Sequence, residues 1–121
     1  WGKDVAYIVL RPQRYTKEFV DASETFSLSV LPSEYRKEYN YLGSVSGRDE
    51  DKMANIRLRV EETGDTPYFA EADTVLICRK LYAQEMTPDC MLNDWVDEKW
   101  YPNKDYHVLY IAAIEKVLVK R

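Results

Sequence analysis

Thr25-Phe26-Ser27-Leu28-Ser29-Val30 alternates without a break, with Phe26, Leu28 and Val30 on one side and Thr25, Ser27 and Ser29 on the other. Apolar and polar residues in period two mark a strand with one buried face. Ser27 and Ser29 would then line a polar surface. On the C-terminal side, Pro32 stops the strand and Ser33 is placed to cap a helix. Tyr35, Tyr39 and Leu42 recur at helical spacing until Gly43 ends it. On the N-terminal side, Val5 to Leu10 is an uninterrupted apolar run, which predicts a strand covered on both faces. Pro12 closes that strand, and Thr16 is expected to cap a short helix through Ala22 with Glu18 in its first turn.

The second half continues the pattern. A helical turn from Lys52 to Asn55 leads into Arg57 to Val60, a turn at Gly64-Asp65, and Pro67-Tyr68-Phe69. Asp73 to Met86 predicts a long strand. Val75, Ile77 and Arg79 lie on one side of it and Leu76, Cys78 and Lys80 on the other, so it can serve two layers. Thr87 to Asp97 has no clean period and reads as a loop with room for one helical turn. Glu98 to His107 gathers Trp100, Tyr101 and Tyr106 about Pro102, an aromatic turn expected to be exposed and to mark an interface. Val108 to Ile114, extended to Val119, is the final strand. The predicted fold class is mainly β with short helices, a mostly antiparallel barrel.

A chain of 121 residues predicts one domain spanning 1–121. Its net charge of −4 and pI near 5.1 argue against a general binder of nucleic acid or anionic membranes. A nucleic-acid-binding barrel is weakened on the same ground. Cys78 and Cys90 do not form a Cys-x-x-Cys pair, and there is no signal-peptide pattern or long apolar run, so a reducing, cytoplasmic compartment is expected. His107 is the only histidine, which leaves a metal cluster or a Cys-His pair little to build on; a hydrogen-bonded structural histidine is expected. Asp49 and Asp51 lack the glycine and glutamate of a calcium loop, and no Walker or Gly-x-Gly-x-x-Gly motif is present. If this is an enzyme, its reactive group is expected to be a cofactor.

Tyr41-Leu42-Gly43-Ser44-Val45-Ser46-Gly47-Arg48-Asp49-Glu50-Asp51-Lys52 has the outline of an anion site. Gly43 and Gly47 permit positive φ and close approach, Ser44 and Ser46 supply hydroxyls, and successive N–H groups can form a nest. Arg48 and Lys52 supply charge, and a helix starting near Asp49 would add its N-terminus. The same residues also suit plain structural roles. Gly43 can close one helix, Ser46 or Asp49 can cap the next, and Arg48 and Lys52 can pair with Glu50 and Asp51. Arg11 and Arg14, at the end of the first strand, can equally be rim charges or ligand contacts.

Taken together, Arg11-Pro12-Gln13-Arg14-Tyr15-Thr16, the Thr25–Val30 strand, Glu34-Tyr35-Arg36, Ser46-Gly47-Arg48-Asp49-Glu50-Asp51-Lys52, Cys78-Arg79-Lys80 and Trp100 to His107 resemble the flavin reductase-like, FMN-binding split-barrel family. The flavoredoxin-like branch is the nearest in pattern, and the resemblance covers nearly the whole chain in order. It implies a homodimer binding FMN near the subunit interface. Arg11, Pro12, Arg14, Tyr15, Thr16, Ser29, Ser46, Gly47, Arg48 and Lys52 would surround the flavin and its phosphate. It also implies electron flow from NAD(P)H through FMN to a small-molecule or protein acceptor, without a protein acid or base and without a metal. Two departures stand out. The family usually carries several tens of residues before the Trp1-Gly2-Lys3 that opens this chain, so a fragment or a naturally short member is expected, with an unpaired edge at Val5–Leu10. Leu42 stands where related sequences often have cysteine. A non-catalytic dimeric scaffold that has lost flavin is the alternative.

Overall fold

Alternation in the sequence becomes a single antiparallel sheet in the computed structural model, which describes residues 1–121. In chain order the elements are β1 (Val5–Leu10), α1 (Tyr15–Ala22), β2 (Thr25–Val30), α2 (Arg36–Ser44), β3 (Val60–Thr63), β4 (Thr66–Phe69), β5 (Thr74–Glu85), α3 (Asp94–Trp100) and β6 (Val108–Val119). Short 3-10 turns at Ser33–Tyr35, Lys52–Asn55 and Pro88–Cys90 join them. The sheet order is β1-β6-β5-β2, with β3 and β4 paired as a separate hairpin. Register places Leu10 opposite Val108 and Phe26 opposite Cys78. The sheet curls into a half barrel, the split-barrel architecture.

β5 does serve two sides. Cys78 packs with Val20, Phe26, Tyr110 and Ala112, while Val75 and Ile77 pack with Leu31, Leu58 and Ala72 on the opposite face. Breaks in the β5–β6 register at Ile77/Cys78 and Lys80/Tyr82 bend the strand between these two cores. The polar face of β2 receives the β3–β4 hairpin through side chains rather than a backbone ladder. Ser27 donates to the Pro67 carbonyl (2.7 Å), the Phe69 N–H donates to Ser29 Oγ (3.4 Å), and the Thr25 and Thr66 hydroxyls meet at 2.5 Å. Gly64, at φ +58°, turns the hairpin.

Several expectations are corrected. β1 is not covered on both faces: Ala6, Ile8 and Leu10 turn to the core, whereas Tyr7 is 65% and Val9 44% exposed. As the edge strand, β1 has a partner only in β6. Arg14, not Thr16, occupies the cap position of α1, with extended backbone and no capping side chain. Gly43 lies within α2, which runs on to Ser44, and neither Gly43 nor Gly47 has positive φ. After the 3-10 turn, Leu58 is buried in the second core and β3 begins at Val60. Residues 94–100 form α3, where mostly loop was expected. Tyr101 and Tyr106 are buried rather than exposed, their rings 4.7 Å apart, while Trp100 remains half exposed.

Candidate functional site

Where β1 ends, the chain turns through Arg11–Arg14, closed by the Arg14 N–H to the Arg11 carbonyl at 3.1 Å, and enters α1. The end of α2 and the loop from Val45 to Met53 face this turn across a cleft of about 750 Å³. Arg11, Arg14, Tyr15 and Thr16 line one wall, Ser46, Gly47 and Lys52 the other, and Val9, Leu10, Phe19 and Leu42 contribute apolar surface. Seven of the residues singled out in the sequence thus meet in one place. Pro12 and Arg48 stand outside the lining. Ser29 opens on a neighbouring apolar pocket of about 360 Å³ between β2, α2 and the hairpin, which shares Leu42 and Met53 with the cleft.

The loop from Ser46 to Lys52 departs from the expected anion nest. The Arg48 N–H donates to Ser46 Oγ (3.1 Å), and the Asp49 and Glu50 N–H groups both donate to the Ser46 carbonyl (3.0 and 3.3 Å). These donors are satisfied inside a turn. No helix begins near Asp49; the next element is the 3-10 turn Lys52–Asn55, capped by the Asp51 carboxylate accepting from the Met53 and Ala54 N–H groups. Gly47 matters by close approach: a Cβ there would lie 3.0 Å from Tyr15 Cδ2. Tyr15 in turn meets Phe19 edge-on at 4.8 Å.

The cations differ in what they already hold. Arg11 is committed, bonded to Asp105 (3.0 Å) and the Trp100 carbonyl (2.8 Å) and lying 5.0 Å over the Tyr101 ring. Arg48 pairs with Glu18 (2.8 Å), not with Glu50 or Asp51, and stacks 4.6 Å over Tyr15. Lys52 donates to the Leu42 carbonyl (2.7 Å) and has no ion pair. Arg14 has neither a hydrogen bond nor an ion pair from its side chain. Arg14 and Lys52 therefore face the cleft without an ion pair, and the two carboxylates that also line it are engaged elsewhere, Glu50 by the Tyr41 hydroxyl and Asp51 by the Met53 and Ala54 N–H groups. An ammonium or guanidinium in that state is suited to an anionic ligand group.

His107 also lines the cleft, a role that sequence reasoning missed. The register Leu10–Val108 sets it beside Arg11, a neighbour 96 positions away that no local pattern shows. Its Nδ1 lies 2.6 Å from the Tyr101 hydroxyl, as expected for a hydrogen-bonded histidine. Burial, aided by the Arg11 charge, holds its pKa below the ordinary histidine value and favours the neutral ring. No cluster of three His, Cys, Asp or Glu side chains is placed to hold a metal ion.

A curled antiparallel half barrel with a cleft between the β1–α1 turn and the α2 exit defines a class, and comparison with known families gives it a name. The family model described as "Flavin reductase like domain" matches residues 4–121, and the chain belongs to that family. Among solved structures, it is similar to an FMN-binding protein from Thermus thermophilus with bound p-hydroxybenzaldehyde (TM-score 0.72, 19% identity, 97% of this chain and 55% of that one). Flavoredoxin from Methanosarcina acetivorans aligns with TM-score 0.73 and 20% identity over 97% of this chain and 53% of that one. An NADH:FAD oxidoreductase from Streptomyces globisporus aligns with TM-score 0.69 and 15% identity over 98% and 60%. At these identities the likeness is one of fold, and the chain spans little more than half the length of each. No curated protein sequence matches it.

Proposed function

We propose that this chain binds FMN in the cleft and acts as a flavin-dependent oxidoreductase, taking electrons from a reduced nicotinamide donor and passing them to a small-molecule or protein acceptor. The observation that carries the reading is the pair of cations without an ion pair, Arg14 and Lys52, on opposite walls of a cleft that adjoins an apolar pocket. Lys52 and Arg14 would hold the phosphate, with the Ser46 hydroxyl free to donate because its oxygen already accepts from Arg48 N–H. Tyr15, Thr16 and Gly47 would shape the wall beside it, Arg11 would fix that wall through Asp105, and Arg48 would brace Tyr15. Ser29 and the apolar pocket would take the less polar part of the ligand. Bound flavin supplies hydride acceptance and electron transfer; the protein's share is to bind, orient and exclude water.

Two finer points belong to the same proposal. A homodimer is favoured by the apolar outer face of the sheet, where Tyr7 and Tyr82 stand in register with Ile111 and Trp1 packs on Tyr82 at 6.2 Å. That surface replaces the aromatic turn as the argument for association, since Tyr101 and Tyr106 are buried. Two free cysteines suit a reducing, cytoplasmic setting. No helix is long and apolar enough to cross a membrane.

Flavin fluorescence titration tests the reading. FMN is expected to bind more tightly than riboflavin, which lacks the phosphate, and the difference should shrink in Lys52→Ala. Absence of binding of either flavin would sink the flavoprotein reading for this chain and favour the scaffold alternative.

A further inference from the structure

Leu92, just before α3, is 96% exposed, more than any other large apolar side chain in the molecule. Trp95, in the first turn of the helix, is 58% exposed and stacks on no other ring. The helix does not lack an inner face: Val96 and Asp97 are half-buried, and Asp97 accepts from the Tyr106 hydroxyl at 2.7 Å. α3 thus turns a carboxylate inward and an indole outward, the reverse of the pattern that folding alone favours. An exposed tryptophan is among the residue types that most often anchor a protein–protein contact.

The charge around these side chains is one-sided. Residues 85–100 hold five carboxylates, Glu85, Asp89, Asp94, Asp97 and Glu98, against Lys99 alone, so this stretch carries a net charge of −4, equal to that of the whole chain. Elsewhere 16 Asp and Glu balance 16 Lys and Arg. Glu85, Asp89, Asp94 and Glu98 are exposed and have no hydrogen bond or ion pair inside the chain, and Lys99 lies over the Trp100 ring at 5.4 Å. Asp94 gains from its place at the helix start, but Glu98, four positions on, repels it. Packing within the chain leaves that repulsion uncompensated.

We propose that the Leu92–Trp95 side of α3 is a docking surface for a protein partner that presents basic residues around an apolar centre. Unpaired carboxylates flanking an exposed indole complement such a face and repel the other candidates: nucleic acid, an anionic membrane, and a second copy docked patch to patch, which would set −4 against −4. A seven-residue helix, about 10 Å long, and the turn before it match the small contacts of transient electron-transfer pairs. The position agrees. At the end of α3 the Trp100 carbonyl accepts from Arg11 at 2.8 Å, and Arg11 lines the cleft, so a partner seated on α3 lies beside the cleft wall. That this partner is the electron acceptor rests on the flavin reading; the surface itself does not.

The test uses oxidised cytochrome c, a basic protein with an exposed haem edge, titrated into the full chain without flavin and followed by calorimetry, so that failure here and failure of flavin binding are separate results. Binding is expected at low ionic strength, weakening by about 10-fold or more between about 20 and about 200 mM salt. Asp89→Asn/Asp94→Asn/Glu98→Gln should weaken it by about 10-fold or more, and Leu92→Ser/Trp95→Ala likewise, with thermal midpoints near wild type because all five side chains are exposed. Asp4→Asn/Glu62→Gln/Asp65→Asn, the same change of charge at exposed positions outside residues 85–100, should leave affinity within about 2-fold of wild type. No binding by the wild type would overturn the proposal, and so would equal losses in the two neutralised variants, which would reduce the effect to net charge. Unchanged affinity in Leu92→Ser/Trp95→Ala would remove the apolar centre and overturn it as well. Sedimentation that finds a wild-type dimer and a Leu92→Ser/Trp95→Ala monomer would overturn it by giving the surface to a second copy.

Discussion

The two sides of the cleft are built by opposite means. On one side, the Arg11–Arg14 turn rests on the Trp100–His107 turn behind it, tied down from far along the chain: Arg11 and Gln13 bond Asp105 at 3.0 and 2.7 Å, Tyr106 donates to Asp97 at 2.7 Å, and Tyr101 reaches His107, which borders the cleft. On the other, the Val45–Met53 loop is exposed over most of its length, and its turn is held mainly by its own short-range bonds, with Tyr15 as its outside brace. The contrast separates two jobs. The turn behind the first wall is finished by folding, with most of its polar groups answering one another, whereas the second wall keeps an ammonium that has a carbonyl partner but no ion pair and is left for a ligand to complete. Substitutions in the first should therefore register as stability, and in the second as affinity.

The largest effect is expected at Tyr101, which is 5% exposed and packed against Tyr106 and His107. Tyr101→Ala should cost about 3–5 kcal/mol of stability, read by urea unfolding. A loss below about 1 kcal/mol would break the comparison, because the turn would then not be a preformed wall. Next comes Lys52→Ala, which should weaken FMN binding by about 1.5–3 kcal/mol while riboflavin binds the variant and wild type alike. Equal losses for both flavins would mean that Lys52 works through the Leu42 carbonyl it caps, not through the phosphate.

Arg48→Ala sharpens the contrast within the loop. Its guanidinium is already paired with Glu18 in a half-exposed bridge, so the effect on stability should be no more than about 1 kcal/mol, and its effect on FMN smaller than that of Lys52→Ala. An effect on FMN larger than that of Lys52→Ala would show that Arg48 leaves Glu18 to meet the ligand. The smallest expected signal is the pH dependence of the first wall. The Tyr106 hydroxyl, bonded to the Asp97 carboxylate, has its pKa raised from 10.0 to about 12. Its contribution is fully present below the unfolded value and should fade as pH rises from about 10 to 12. Asp97 is held below its usual value by Tyr106 and Lys104, so its contribution should fade as pH falls through the acid range below pH 4. Thermal midpoints of wild type and Tyr106→Phe should converge at both extremes; a constant gap across pH would sever this pair from stability.

The sheet was legible because a strand's two faces are written in its own residues. Thr25–Val30 lies at its predicted limits, and so does β1, while β5 and β6 each fall within about one residue of the longer spans expected for them. The gathering of Arg14, Thr16, Ser46 and Lys52 was legible as a family pattern, but their state of pairing was not. Arg48 meets Glu18 across 30 positions and Arg11 meets Asp105 across 94. The sequence by itself determined where β1, β2, β5 and β6 run, that β5 has two apolar faces, and which connections carry positive charge, because each follows from residues within a few positions of one another. Only the tertiary structure decided that β1 exposes its outer face, that Tyr101 and Tyr106 are buried, that His107 borders the cleft, and that Arg14 and Lys52 form no ion pair. Those outcomes depend on sheet order and register, which pair residues about a hundred positions apart, and a local pattern carries no term for that distance.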